Sequence, residues 1–176
     1  VHIDHYFFKE SGIVFPPHWH EQFMLMYVKN GILQLQCGKQ TILAGQDSIA
    51  IVNPNELHSG ENPGPELEYY SMKIDLLMLL GDQPDLQQTI YAEPLMKSRL
   101  LFDNMITNDN FLLGCIQNII REFEEKQEGY ELALRGLGYQ ILTSLLRSHT
   151  KTISDQSELD MQYRRLDQIK PAITYM

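Results

Sequence analysis

The chain has 176 residues, about one domain's worth, and sets 14 Lys and Arg against 23 Asp and Glu for a formal net charge of -9. That balance repels a phosphate backbone unless a basic face is segregated, and no stretch segregates one, which argues against direct nucleic-acid binding by these residues. Two cysteines, Cys37 in a strand-like stretch and Cys115 in a helix-like one, do not make the dense framework of a small secreted protein, so a reducing cytoplasm is the expected setting. The most apolar run, Leu76-Leu77-Met78-Leu79-Leu80, stops at Gly81 and Asp82 before reaching the length of a membrane span. Val1-His2-Ile3-Asp4-His5 lacks a basic n-region ahead of an apolar run, and a start at Val1 reads as a trimmed piece of a longer protein.

Residues 1 to 75 are punctuated by Gly, Pro and Asn roughly every eight to twelve residues, the pattern of a short-stranded all-β fold. From Gln22 to Val28 one face carries Phe23, Leu25 and Tyr27 and the other Met24, Met26 and Val28, which predicts a central strand buried on both sides. Asn30-Gly31 supplies positive φ for a tight hairpin turn, and Ile32 to Cys37 then alternates Leu33, Leu35 and Cys37 against Gln34 and Gln36. Those glutamines face either water or a polar cavity. Gly38-Lys39 turns again, Thr41–Leu43 and Ser48–Val52 read as strands around Gly45-Gln46-Asp47, and Leu67–Ile74 follows Pro63-Gly64-Pro65.

After residue 76 the apolar period lengthens from two to nearly four. A first helix is expected from Pro94 to Ile106, with Pro94 in its first turn. Asn110 is the expected cap of a second, which carries Leu112, Ile116, Ile119 and Phe123 at helical spacing, sets Glu122 four residues before Lys126, and ends at Gly129. The third, from Tyr130 to Ser148, aligns Leu134, Leu137, Ile141 and Leu145, and its Gly136 and Gly138 leave room for close helix approach. The expected organisation is therefore a β-barrel over 1–78, a helical annex over 79–150, and a polar linker over 151–158. Residues 159–176 start something new, with Leu166, Ile169, Ile173 and Met176 on one stripe.

The most informative local feature is Gly12-Ile13-Val14-Phe15-Pro16-Pro17-His18-Trp19-His20, with Gly31 after it and a second element at Gly45 and Pro54-Asn55-Glu56-Leu57-His58. This resembles the two cupin motifs, Gly-x5-His-x-His-x3,4-Glu-x6-Gly and Gly-x5-Pro-x-Gly-x2-His-x3-Asn. Gly12, His18, His20 and Gly31 fit the first. Met24 stands where the motif has its acid, and in the second element Glu56 replaces the glycine while His58 comes one residue early. With Glu21-Gln22-Phe23, Leu25, Tyr27-Val28 and Gly31 following, the pattern is similar to the sensor half of AraC/XylS-type bacterial transcription regulators. The resemblance implies a mainly β fold with α, a cupin-like double-stranded β-helix (jelly-roll barrel) followed by a helical hairpin. It also implies a small effector, typically a sugar, bound inside the barrel, and a homodimer formed through the helices. Arg164 to Met176 resembles the helix that opens the family's helix-turn-helix domain, so DNA contact would belong to that domain.

His18, His20 and His58 support two readings. They form a three-histidine site for Zn²⁺, Fe²⁺ or Ni²⁺, or they line a pocket and hydrogen-bond to ligand or backbone. No cofactor is required on the second reading, and a divalent metal at the cluster defines the first. Trp19, the one tryptophan, offers a platform for a sugar face, although strand alternation sets it opposite His18 and His20. Glu21 alternates away from His20 in the same manner, and Tyr27, Gln34, Gln36, Tyr69 and Tyr70 are further candidates for the lining. Covalent catalysis has little support, since neither cysteine has a basic neighbour in sequence and no Gly-x-Ser-x-Gly elbow or phosphate-binding glycine loop occurs. The alternative to a sensor is a metal-dependent cupin enzyme, an isomerase or dioxygenase, built on the three histidines.

Overall fold

Strand β3 (Phe23–Gly31) buries every side chain from Phe23 to Val28, so it must lie between two apolar layers. The computed structural model, which describes residues 2–76 and 88–151, supplies both. Seven more strands surround β3: β1 (His2–Phe8), β2 (Gly12–His18), β4 (Leu33–Cys37), β5 (Gln40–Ala44), β6 (Ile49–Val52), β7 (His58–Asn62) and β8 (Leu67–Ile74). After them come a π-helical turn (Gln88–Ala92), α1 (Glu93–Met96), β9 (Leu101–Phe102), β10 (Met105–Ile106), α2 (Asn110–Glu125), α3 (Tyr130–Ser148) and β11 (Thr150–Lys151).

Two antiparallel sheets, β1-β8-β3-β6-β10 and β2-β7-β4-β5, make the double-stranded β-helix, and β11 pairs with β9 as a separate ribbon. Met24, Met26 and Val28 of β3 face the barrel interior with Leu33, Leu35, Cys37, Ile42, Ala44, Ala50, Val52, Leu67 and Tyr69. Phe23, Leu25 and Tyr27, on the other face, pack with Ile49, Ile51, Tyr70 and Met72 against Leu112, Ile116 and Ile119 of α2 and Ile141 and Leu145 of α3. The larger sheet is thus shared between the barrel core and the core under the helical hairpin.

Several expected details fall differently. The chain does not form a hairpin at Asn30-Gly31: β3 pairs with β6 and β8, while β4 crosses to the other sheet and pairs with β5 and β7. Gly31 does take positive φ, at 84°, but as a corner between sheets where the Glu66 carbonyl approaches so closely that a Cβ would collide with it. The helix expected over Pro94–Ile106 ends at Met96, because tertiary hydrogen bonds claim the backbone beyond it: Phe102 N–H donates to Asn53 Oδ1 at 2.8 Å, and Met105 and Ile106 pair with β6. Asp109, not Asn110, caps α2, accepting from Leu112 N–H at 2.9 Å. That helix ends at Glu125 with Lys126 left-handed, and Gly129 precedes α3 instead of closing α2. Lys126 Nζ lies 5.0 Å over the Phe123 ring.

The third helix matches its expected span, with Leu134, Ile141 and Leu145 buried and Leu137 packed beside them. Gly138 is buried in it, while Gly136 faces open space. Lys151, where the linker was expected to begin, lies in β11. Residues 152–158, the unit expected over 159–176, and the apolar run past Leu76 lie outside the described residues.

Gly31→Ala is expected to lower stability by more than about 2 kcal/mol, since a left-handed alanine costs about 1–2 kcal/mol and the collision with Glu66 adds to it. Gly38→Ala, at φ 56° with nothing around it, should cost only the first part. Urea unfolding of both variants at equal slope would measure the difference; equal losses would contradict it.

Candidate functional site

Strand β2 ends at His18, which pairs in register with His58 at the start of β7, and β7 pairs on its other side with β4, bringing His58 opposite Cys37. His20 follows two residues later, at the entry to β3. One ligand atom from each of the three imidazoles lies within 4.8 Å of the others. Ring centroids are 4.3 Å apart for His18 and His58, 4.8 Å for His20 and His58, and 5.8 Å for His18 and His20. His58 is buried, His20 half-buried and His18 exposed, so the cluster opens to solvent on one side.

Each ring is fixed in the same manner. His18 Nδ1 lies 2.9 Å from the Pro16 carbonyl, His20 Nδ1 2.9 Å from that of Gln22, and His58 Nδ1 2.8 Å from that of Glu56. A carbonyl oxygen only accepts, so each Nδ1 carries its proton and Nε2 is the nitrogen left for chemistry. In His20 and His58 that Nε2 is buried and has no partner. Burial lowers the His20 pKa and pushes His58 down to about 4, and the Lys73 charge adds to both effects. Both rings are therefore neutral near pH 7, with lone pairs on Nε2.

Phe15 completes this end of the barrel, its edge 5.5 Å from His18 and 5.7 Å from His58 by ring centroids. Its ring covers Gly60 so closely that a Cβ there would lie 2.6 Å away. Met24 occupies the position of the missing acid and accepts a 3.2 Å hydrogen bond from Ser71 Oγ at its sulfur. Cys37 stays a thiol, burial holding its pKa at about 12. Deeper in the barrel, Met26, Val28, Leu33, Leu35, Ala44, Ala50, Val52 and Leu67 have 0% exposure, so they line no space that water could enter. The interior expected to hold the effector is filled there by side chains.

The other expected site residues lie elsewhere. Gln34 and Gln36 are on the outer face of β4: Gln34 Nε2 donates to Glu61 at 3.3 Å, Gln36 Nε2 donates to the Gly38 carbonyl at 3.0 Å, and Gln36 Oε1 accepts from Thr41 Oγ1 at 2.6 Å. Tyr27 is on the helix-facing side of β3 and donates to Asp47 Oδ1 at 2.9 Å. Tyr70, on the same side, donates to Glu124 at 3.0 Å, while Tyr69 faces the barrel and stacks against Tyr6. Trp19 is half-buried. Lys73 escaped the sequence reading, although alternation along Leu67–Ile74 puts it on the inner face with Tyr69 and Ser71.

Three converging imidazoles fixed by backbone carbonyls have the donor set and outer shell of a divalent transition-metal site, and the two orphaned Nε2 atoms fit that use. They equally accept hydrogen bonds from hydroxyl groups.

A barrel with a helical hairpin on its back and a polar mouth is a small-molecule-binding architecture. The AraC-like ligand binding domain family matches residues 1–142, and the chain belongs to it. An uncharacterized HTH-type transcriptional regulator of Bacillus subtilis (strain 168), YbfI, is 24% identical over 115 residues, which span 61% of this chain and 39% of that protein. ToxT from Vibrio cholerae aligns over 98% of this chain and 66% of its own at 13% identity and a TM-score of 0.57, a likeness of fold. A cupin family protein from Methanocaldococcus jannaschii aligns over 44% of this chain and 72% of its own at 19% identity and a TM-score of 0.40. None of the helices among the described residues is long and apolar enough to cross a membrane.

His58 gives stability a pH signature. Its pKa is about 4 folded against an ordinary 6.5, so the unfolded chain binds more protons between these values. The associated stability is fully present above pH 6.5 and is lost as pH falls towards 4. Between pH 7 and 4.5 the metal-free protein should lose about 2 to 3 kcal/mol more than His58→Gln. Urea unfolding at both pH values tests this, and parallel losses would count against it.

Proposed function

We propose that this chain is the effector-sensing module of a cytoplasmic, AraC-type bacterial transcription regulator, not an enzyme, and that its effector binds at the His18, His20 and His58 mouth. The observation that carries the reading is the pair of buried, unpartnered Nε2 acceptors of His20 and His58 in a domain of a ligand-binding family. An unpartnered buried acceptor costs about 1–3 kcal/mol, and a ligand hydroxyl donating to it recovers that cost. A sugar carries such hydroxyls, which supports the carbohydrate reading, and Phe15 beside the rings offers an apolar surface. Dimerisation through the helical hairpin is supported by Phe111, Leu132 and Tyr139, large side chains exposed on α2 and α3. On this reading the barrel spans 1–78 and the annex 79–150, and DNA is contacted through the helix-turn-helix domain whose opening helix Arg164 to Met176 resembles.

The second reading, a metal-dependent isomerase or dioxygenase, is favoured by the three carbonyl-fixed imidazoles. His18, His20 and His58 would hold the metal, which would supply Lewis acidity or redox chemistry. Stoichiometric metal that survives chelator dialysis and is lost in His20→Ala would support it.

Calorimetry of chelator-dialysed protein with a panel of sugars and sugar derivatives tests the sensor reading. Binding is expected with Kd between micromolar and millimolar, weakened about tenfold or more in His20→Ala. Wild-type protein that binds none of them, or a His20→Ala variant that binds equally well, would sink the assignment.

A further inference from the structure

The inner face of β8 holds a charge at Lys73. Tyr69 belongs to the barrel core and Ser71 hydrogen-bonds to Met24, which fixes the inward parity of this strand. Lys73 has the same parity and pairs in register with Met24 at the histidine end of β3. It is half-buried, and its charge acts on both His20 and His58. Lys73, like Lys9, Lys39, Lys126 and Lys151, has no ion pair among the described residues, but it differs from them in lying on the inner face of β8. The Glu56 carboxylate, two residues from His58, is already engaged by Asn53 and Asn104. Glu21 and Asp75 line a groove with Gln22, Leu76 and Met96 that none of the three histidines lines.

The mouth therefore presents two kinds of unmet demand: acceptor nitrogens that need O–H donors, and an ammonium group that needs an anion. A neutral sugar answers only the first. We propose, building on the sensor reading, that the effector is a polyhydroxylated carboxylate of the sugar-acid class, whose carboxylate accepts from Lys73 Nζ while its hydroxyls donate to His20 Nε2 and His58 Nε2. Position 24, where the cupin motif has its acid, is a methionine here, so this strand offers Lys73 no anion. Lys73 is then the specificity residue, and the histidines are the hydroxyl receptors.

Matched pairs separate this from the general reading: glucose against gluconate and glucuronate, and galactose against galacturonate, titrated calorimetrically into the chelator-dialysed full chain. At least one acid is expected to bind about tenfold or more tightly than its neutral partner. Lys73→Met, which keeps the aliphatic stem, should abolish that preference, Lys73→Arg should retain it, and circular dichroism should show both variants folded. His20→Ala should weaken acid and neutral ligands alike. Neutral sugars that bind as tightly as their acids, or a folded Lys73→Met variant that keeps the preference, would overturn the sugar-acid assignment and leave the sensor reading intact. Wild-type protein that binds neither member of any pair would overturn both.

Discussion

The Glu56 carboxylate holds this molecule's site in place. Its Oε2 accepts from the Asn53 backbone N–H at 3.0 Å, from Asn53 Nδ2 at 3.3 Å and from Asn104 Nδ2 at 2.8 Å, while the Glu56 carbonyl accepts from His58 Nδ1. One residue thus orients a site imidazole with its backbone and ties the loop between β6 and β7 to the segment between β9 and β10 with its side chain. The same loop reaches His20, whose carbonyl accepts from Asn55 N–H at 2.8 Å. Asn53 and Asn104 are buried, and their amides are engaged: Asn53 bridges to both backbone groups of Phe102, and Asn104 donates to the Ile51 carbonyl and accepts from Lys151 Nζ. A buried polar network with its partners met specifies one arrangement of the chain, because any other leaves polar groups stranded. Two of the three histidines depend on it.

That network also explains which parts of the fold were legible. Strand β3, the strand character of 67–74, and helix α3 could be read because each follows one periodicity over a long stretch, and burial of Phe23 to Val28 on both faces follows from their composition. The segment from Lys97 to Ile106 could not be read in this way. Its apolar spacing suits a helix, but Phe102 and Asn104 make hydrogen bonds to Asn53 and Ile51, some fifty positions away in sequence, and no local pattern reports them. Asn30-Gly31 failed for a related reason. The positive φ of Gly31 was legible, whereas the choice between a return along the same sheet and a crossing to the other is decided by where β4 finds β7.

At the site the balance is similar. The meeting of His18, His20 and His58 was carried by spacing within two short motifs, and the structure brings them together. Gln34 and Gln36 could be placed only on one face or the other of β4; Leu33, Leu35 and Cys37 take the interior, so the amides face out. Lys73 went unnoticed because Leu67–Ile74 mixes polar and apolar residues on both faces, with Ser71 inward and Glu68 outward, so a single charge gains meaning only once the register sets it opposite Met24 at the histidine end.

The sign of the whole chain and the sign of this mouth are opposed, and the two act at different ranges. The formal charge of -9 is a property of the whole sequence, and exposed charges are screened by physiological salt within about 8 Å. It therefore bears chiefly on encounter, slowing an approaching anion to an extent that depends on ionic strength. Lys73 is half-buried against apolar strands, where screening is weaker and a paired anion is held more strongly. On the proposed reading, binding at equilibrium is thus governed by the local cation and the two unpartnered imidazole nitrogens, and the net charge of the chain bears on encounter.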